Sequence, residues 1–231
     1  MSTNNLEQFE KKIYSQFGED GITDEIIKRI GTTNQFFVEF GIDRAIESNC
    51  KHLLLDCGWQ GVMIEGVAEW AEYAAAQFRG YPVDVVNSWI TVDNILSTFQ
   101  EHHVPQEPDL LSVDIDSNDY WILNQILTIY RPRMIIHEYN GYYLPPQLWV
   151  MAYQPGYRWD GTSYFGASLQ SFCNLLDAQG YALLGCESTG KINAFQIRKE
   201  LLEASGFIAI TAAEGFLPSP YPFREGPCVE V

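Results

Sequence analysis

Acidic and amide side chains follow two apolar segments in the middle of the chain. Asp114 and Asp116 come at the end of one predicted strand, and Glu138 and Asn140 come at the end of the next. Residues two apart on an extended strand share a face, so the members of each pair point the same way. Carboxylate and amide oxygens are the ligands that Mg²⁺ and Mn²⁺ prefer. The spacing predicts a divalent-cation site that holds and activates a hydroxylated substrate.

His137 precedes the second pair and suggests proton transfer. A histidine with an unperturbed pKa of about 6.5 suits a general base near neutral pH. The same segments also have a structural interpretation, in which Asp116 and Asn118 form a turn and His137 is a buried strand-end side chain. Asp119 then caps the helix that begins at Tyr120. The sequence leaves both interpretations open.

A sharp turn with an acidic residue and a glycine follows the first predicted strand. The apolar run at 36–38 leads into Glu39, Phe40 and Gly41. Glycine permits a positive φ or a close approach of the backbone to a ligand. Ser48 and Asn49 follow a polar loop and are suited to cap the next helix, which would leave free N–H groups near a ligand.

Glu65 ends the second predicted strand about 25 residues beyond that turn, close to the offset at which doubly wound folds place an acid that binds ribose hydroxyls. Together with Glu39 and Gly41 it predicts a nucleotide-type cofactor site. In the alternative, Glu39 is a solvated turn residue and Glu65 only ends a strand. No complete G-x-G-x-x-G is present to decide between them.

Short apolar runs alternate with amphipathic stretches, which is typical of a βαβ series. We predict strands at 36–40, 61–64, 83–86, 110–114 and 133–137, helices at 46–57, 68–79, 91–102, 119–130 and 167–179, and further strands at 181–186 and 192–197. The resulting fold is a Rossmann-like, doubly wound, mostly parallel α/β sheet with an antiparallel edge hairpin. Residues 1–231 form one domain, and residues 1–30 form a helical N-terminal segment.

Residues 141–166 interrupt this alternation with a loop rich in Pro, Gly, Tyr and Trp. A loop of this length predicts a lid or a substrate-binding insertion. Its aromatic rings either close over a sugar or flat metabolite or pack the lid against its own domain. These rings are Tyr142, Tyr143, Trp149, Tyr153, Tyr157, Trp159 and Tyr164. The end of the chain, 218–231, is predicted to be an extended tail.

The composition excludes several classes of partner. A formal net charge of −16 over 231 residues argues against nucleic acid and anionic membranes as partners. The polar N-terminus and the lack of a long apolar run predict a cytoplasmic protein without a membrane span. The cysteines are widely spaced and odd in number, which predicts reduced thiols. They are Cys50, Cys57, Cys173, Cys186 and Cys228.

The order of four motifs resembles class I S-adenosylmethionine-dependent methyltransferases, and most closely their FkbM-like branch. The motifs are YSQFGEDGI at 14–22, FFVEFGIDRAIESN at 36–49, GWQGVMIEG at 58–66 and DLLSVDIDSNDYWI at 109–122. The resemblance covers most of residues 14–200 and implies a seven-stranded sheet that binds S-adenosylmethionine at the carboxyl ends of its strands.

The resemblance also implies roles for individual residues. Glu39 and Gly41 lie beside the methionine part of the cofactor, with Arg44 or Asn49 as candidates to hold its carboxylate. Glu65 binds the ribose. Residues 87–88, Asn87 and Ser88, lie near the adenine, and Asp114 lies near the transferring methyl group.

The acids after strands four and five are also similar to those of cation-dependent O-methyltransferases, although Tyr139 separates Glu138 from Asn140 here. We therefore expect transfer of a methyl group to a hydroxyl of a small molecule or glycan, with Asp114, His137 and Glu138 as catalytic residues. Assistance by Mg²⁺ or Mn²⁺, bound by the acidic cluster, is left open. The alternatives are an NAD-dependent oxidoreductase and a non-catalytic binding module. The sequence does not indicate an oligomeric state.

Overall fold

The computed structural model describes residues 4–226 and contains alternating strands and helices. The strands are β1 (Phe36–Phe40), β2 (Gln60–Glu65), β3 (Val83–Asn87), β4 (Leu110–Val113), β5 (Met134–Glu138), β6 (Tyr181–Cys186) and β7 (Asn193–Arg198). The helices are α1 (Glu19–Ile30), α2 (Lys51–Asp56), α3 (Ala68–Gln77), α4 (Ile95–Glu101), α5 (Asp119–Ile126), α6 (Leu169–Ala178), α7 (Leu202–Ser205) and α8 (Ala212–Gly215). Short 3₁₀ helices cover Leu6–Phe9 and Lys199–Leu201.

The strands form one seven-stranded sheet in the order β3-β2-β1-β4-β5-β7-β6. Strands β1 to β5 are parallel, and β7 is antiparallel to both β5 and β6. This confirms the predicted α/β fold with an antiparallel edge hairpin. Phe40 lies opposite Ile64 and Val113, so the residues that follow β1, β2 and β4 emerge along one edge of the sheet.

Alternate residues of the strands pack against helices on opposite faces of the sheet. Val38 and Phe40 belong to a core with side chains of α4, α5 and α6. Phe37 points the other way, into a core with side chains of α1, α2 and α3. Burial on both faces explains why these strands are nearly continuously apolar.

Some predicted element boundaries are wrong. The helix predicted at 46–57 begins at Lys51, because the N–H groups of Asn49 and Cys50 are bound by Glu39 just before it. The strand predicted at 110–114 ends at Val113. The helix predicted at 119–130 ends at Ile126.

Residues 141–166 contain neither a helix nor a strand, apart from an isolated bridge between Val150 and Ala167 at the end of this loop. Of the predicted tail, residues 218–226 are described and are irregular, and the rest, including Cys228, lies outside the described residues. The other four cysteines carry free thiols. Across residues 4–226, every helix is too short or too polar to span a bilayer.

Asp109 joins the loop before β1 to the start of β4. Its buried carboxylate accepts hydrogen bonds from the backbone N–H groups of Thr33, Asn34 and Gln35 at 2.7–2.9 Å. Arg133 Nε lies 3.2 Å from the same carboxylate. One acidic side chain therefore holds the amino ends of three neighbouring strands in place.

Replacing Asp109 by alanine leaves these N–H groups and the guanidinium without their acceptor. We expect the Asp109→Ala variant to lose about 3–5 kcal/mol of unfolding free energy, the usual cost of removing one partner from a buried ion pair. Urea unfolding monitored by circular dichroism measures this. The exposed Asp93→Ala variant is the control and should stay within about 0.5 kcal/mol of the parent. Equal stabilities of the two variants would contradict this role.

Candidate active site

A cavity of about 740 Å³ lies at the carboxyl ends of β1, β2, β4 and β5. Its volume falls in the usual range for small-molecule sites, about 300–1,000 Å³. The loops after these strands line one side. Residues of the 141–166 insertion and of the C-terminal segment 219–224 line the other. This is the edge at which open parallel sheets bind ligands.

Glu39 lines the cavity, but its carboxylate is occupied by the start of α2. It accepts hydrogen bonds from Ser48 Oγ (2.6 Å), Asn49 N (2.7 Å) and Cys50 N (3.1 Å). Burial raises the pKa of Glu39, and these donors offset part of that rise. The N–H groups that the sequence analysis expected to be free for a ligand are therefore bound by the protein itself. The Asn49 side chain, also at the cavity, donates to Ser112 Oγ.

Glu65 lies at the end of β2 and lines the cavity. Oε1 accepts a hydrogen bond from Val67 N (2.7 Å), and Oε2 accepts one from Asp43 N (2.8 Å). A carboxylate has about four acceptor positions, so each oxygen retains one for a ligand. Burial is the main cause of the raised pKa of Glu65.

Gly41 makes the turn after β1 with a φ of 76°. A Cβ atom at this position would lie 1.4 Å from the backbone oxygen of Asp114. Only glycine therefore allows the loops after β1 and β4 to meet. Arg44, a candidate for holding a cofactor carboxylate, is not among the residues that line the cavity.

Of the two residues predicted near the adenine, Ser88 lines the cavity and Asn87 does not. The Asn87 side chain instead donates to the backbone oxygen of Glu65 at 2.9 Å. Trp89, which was not predicted from the sequence, also lines the cavity, and its ring packs so closely on Gly66 that a Cβ added there would lie 2.6 Å from it. In the sequence, the only indication of this role was that an aromatic residue directly follows Ser88.

Carboxylate oxygens of Asp114, Asp116 and Glu138 lie within 4.8 Å of one another in the cavity. The sequence analysis placed Asp114 and Asp116 on one face of an extended strand, but β4 ends at Val113, before both residues. Instead, a φ of 54° at Asp116 folds the chain back after the strand. The structure thus brings these three predicted residues together by means of a turn.

This acidic cluster differs from the other buried acids around the cavity, because no hydrogen bond reaches its three carboxylates from any residue in the described part of the chain. Burial raises the pKa of Asp114 and of Glu138 well above their ordinary values, and neighbouring acids raise them further. Burial, followed by repulsion from Asp119, raises the pKa of Asp116 to about 7. Glu138 Oε2 is buried without a partner. The cluster therefore favours either a proton or a cationic ligand.

Asp119, the first residue of α5, stabilises the turn that contains Asp116. Its carboxylate accepts hydrogen bonds from Ile115 N (2.7 Å) and Ser117 N (2.9 Å). The expectation that Asp119 caps a helix beginning at Tyr120 is wrong, because α5 begins at Asp119 with Asn118 as its N-cap, and the Asp119 carboxylate binds the turn before the helix.

His137 does not line the cavity, which corrects its predicted place beside the acids. Its buried ring lies 4.2 Å from the ring of Phe172, centroid to centroid, and its Nε2 lies 3.1 Å from Gln196 Nε2. Burial lowers the pKa of His137 to about 4. Strand alternation turns its side chain into the core toward α6, so its position argues against a role as base.

Asn140 also departs from its predicted place among the metal ligands. Its side-chain N–H groups donate to the backbone oxygens of Ser163 (3.0 Å) and Phe165 (2.9 Å). Its side-chain oxygen accepts a hydrogen bond from Tyr142 N. The chain turns after β5, so this amide holds the insertion rather than facing the carboxylates.

The C-terminal segment forms part of the cavity wall, which the sequence analysis did not predict. Ser163 N donates to Arg224 O, Arg224 N donates to Ser163 Oγ, and Ser219 N donates to Gly141 O. Tyr221 and Pro222 line the cavity. Gln16, from the motif at 14–22, also lines the cavity.

No protein-family model matches the sequence, and no curated protein sequence matches it. Several solved structures are similar to it. The CurJ carbon methyltransferase superposes with a TM-score of 0.51 at 8% identity, over 80% of this chain and 55% of that chain. The N-terminal domain of EvdMO1 with SAH bound gives 0.49 at 14% identity, over 80% and 81%. The O-methyltransferase from Bacillus cereus in complex with SAH gives 0.46 at 13% identity, over 84% and 85%.

The similarity to the CurJ methyltransferase, together with the strand order, shows the fold. The chain has the α/β methyltransferase-like Rossmann fold, with a mostly parallel seven-stranded sheet. The chain spans about half the length of the CurJ structure.

The raised pKa values make stability depend on pH at the acidic cluster. Asp116 has a pKa of about 4 in an unfolded chain and about 7 in the folded protein. The folded state therefore binds more protons in this window, and stability falls as the pH rises from about 4 through about 7. We expect Asp116→Asn to raise the unfolding temperature at pH 8, and the difference from the parent to vanish near pH 4.

Thermal unfolding at both pH values, in the presence of a chelator, measures this difference. The exposed Asp93→Asn variant is the control and should show no such pH dependence. An Asp116→Asn variant less stable than the parent at pH 8 would show that the carboxylate is stabilised in the folded state.

Proposed function

We propose that the protein is an S-adenosylmethionine-dependent methyltransferase that acts on a hydroxyl group of a small molecule or glycan. The observation that carries the proposal is the Glu65 carboxylate. It ends β2 at the cavity and retains acceptor positions for two vicinal hydroxyls. The four sequence motifs support assignment to the FkbM-like branch.

The cavity contains suitable partners for each part of the cofactor. Glu65 binds the ribose, and Ser88 and Trp89 contact the adenine. The carboxylate of Asp114 pairs with the methionine ammonium group, a cation that favours the ionised form of this buried acid. Gln16 lines the cavity and is our candidate to bind the methionine carboxylate, because Arg44 lies outside the lining.

The outer part of the cavity suits an uncharged or weakly anionic acceptor with flat faces. Tyr142, Tyr157 and Trp159 line it, and Arg158 and Arg224 add cationic groups beside them. Sites for small molecules combine aromatic walls with a few polar groups in this way. A sugar or phenolic metabolite meets these conditions.

The cofactor supplies a methyl group that is already activated for transfer. The protein then has to orient the acceptor and accept its proton. The acidic cluster is suited to the second task. Burial and neighbouring acids raise the pKa values of Asp114 and Glu138 and raise that of Asp116 to about 7, so the Asp116 carboxylate can take up a proton near neutral pH.

A divalent cation is a further candidate for this cluster. Three convergent carboxylates, one with an unpartnered buried oxygen, fit the preference of Mg²⁺ or Mn²⁺ for hard oxygen ligands. Asp114, Asp116 and Glu138 would hold the ion, and water would complete its coordination. The bound ion would lower the pKa of an acceptor hydroxyl.

Calorimetric titration of S-adenosylhomocysteine into the purified protein tests the cofactor class. We expect micromolar binding, and binding about ten- to a hundredfold weaker to Glu65→Gln, because a hydrogen bond to a charged acceptor is lost. Glu69→Gln, exposed on α3, is the matched control and should bind like the parent. Parent protein that binds NAD and not S-adenosylhomocysteine would replace the proposal with an oxidoreductase, and binding of neither would leave a non-catalytic module.

Titration with Mn²⁺, followed by electron paramagnetic resonance, tests the cation site without requiring an acceptor. We expect saturable binding by the parent and at least about tenfold weaker binding by Glu138→Gln, because one of three ligands is lost. The exposed Glu101→Gln variant on α4 should match the parent. Equal affinity in all three proteins would remove the cluster as a metal site.

A further inference from the structure

A second group of potential ligands lies outside the cavity, where α1 packs beside α2. His52 Nε2 is 3.2 Å from Asp24 Oδ2 and 3.6 Å from Cys57 Sγ. Ligand atoms of these three residues all lie within 4.8 Å of one another. Asp24 belongs to α1, His52 to α2, and Cys57 directly follows α2. None of the three lines the active-site cavity.

A neighbouring carboxylate orients the imidazole. His52 Nδ1 lies 2.8 Å from Asp56 Oδ2, one helical turn away. If Nδ1 donates its proton to Asp56, the lone pair of Nε2 points at the gap between Asp24 and Cys57. Histidines that bind metals usually donate their other N–H group to a carboxylate in this way, which selects the tautomer and makes the ligand more basic.

The two separations measured from His52 Nε2 match those between ligands of tetrahedral zinc. Bond lengths of about 2.3 Å to sulfur and about 2.0–2.2 Å to nitrogen and oxygen place tetrahedral S and N ligands about 3.6 Å apart, and N and O ligands about 3.4 Å apart. The observed separations around His52 Nε2, 3.6 Å to sulfur and 3.2 Å to oxygen, are close to both.

The group is accessible and its donors are chemically selective. The His52 side chain is 13% exposed, the Asp24 side chain is 44% exposed, and Cys57 is exposed, so an ion reaches the gap directly from solvent. Thiolate and imidazole favour Zn²⁺ over the hard cations Mg²⁺ and Ca²⁺. This site therefore differs in preference from the carboxylate cluster of the cavity.

We infer that Asp24, His52 and Cys57 form a zinc-binding site, with Asp56 as the residue that orients His52. Water takes the fourth position. The bound ion links α1 to the C-terminal end of α2. The N-terminal end of α2 carries the N–H groups that hold Glu39 at the cavity, so zinc stabilises the helix on which that wall depends.

Substitution of Co²⁺ for Zn²⁺ tests the site through its sulfur ligand. We expect the full-length chain to bind one Co²⁺ that produces a thiolate-to-cobalt charge-transfer band in the near ultraviolet, and one equivalent of Zn²⁺ to remove the band. Cys57→Ser and His52→Ala should lack the band, and circular dichroism checks that both variants are folded. Cys228→Ser and Glu138→Gln should retain it, which separates this site from binding by the Cys228 thiol and from the carboxylate cluster.

The role of Asp56 has its own readout. Asp56→Asn should keep the charge-transfer band but weaken Co²⁺ binding by about ten- to a hundredfold, as loss of an orienting partner does in other sites. A parent protein without the band, or a band that survives Cys57→Ser, would overturn the inference and leave His52 as a histidine paired with two carboxylates. A band that Cys228→Ser removes would overturn it as well.

Discussion

Buried carboxylates that accept hydrogen bonds from backbone N–H groups hold together the loops of this protein. Glu39 binds the start of α2, and Asp109 binds the segment before β1. Glu65 binds the loop after β1 and the loop after β2. The same arrangement recurs at Asp20, Asp119 and Glu187. Irregular loops leave N–H groups unpaired, and a buried unpaired N–H group costs about 1–3 kcal/mol. Part of the acidity of the chain is therefore structural.

The acids of the cavity cluster differ in that they lack this support. No donor in residues 4–226 binds their carboxylates. Burial therefore raises their pKa values, and no hydrogen bond offsets this rise. Such an arrangement costs stability, and perturbed carboxylates of this kind concentrate at functional sites. Asp114, Asp116 and Glu138 therefore differ from the other buried acids at the cavity in having no protein donor among residues 4–226.

The helix α2 connects the two sites proposed for this protein. Its N-terminal end is held by Glu39 at the cavity, and its C-terminal end carries His52 and Asp56 beside α1. With only six residues, α2 has little stability of its own and depends on contacts at both ends. A ligand at either end therefore acts on the same short element.

The sequence by itself determined the order and type of the main elements, because strands buried on both faces are recognisable as short apolar runs and their helices as amphipathic stretches. It also placed Glu39, Gly41, Glu65, Asp114 and Glu138 at one edge of the sheet, since parallel strands present their carboxyl ends together. Only the tertiary structure decided which side chains remain available. Contacts between segments distant in sequence pair Glu39 with α2, bury His137 and turn Asn140 toward the insertion. Backbone turns, such as that at Asp116, contribute as well. Local patterns carry no information about such contacts, so only the folded chain shows which carboxylates are free of protein donors.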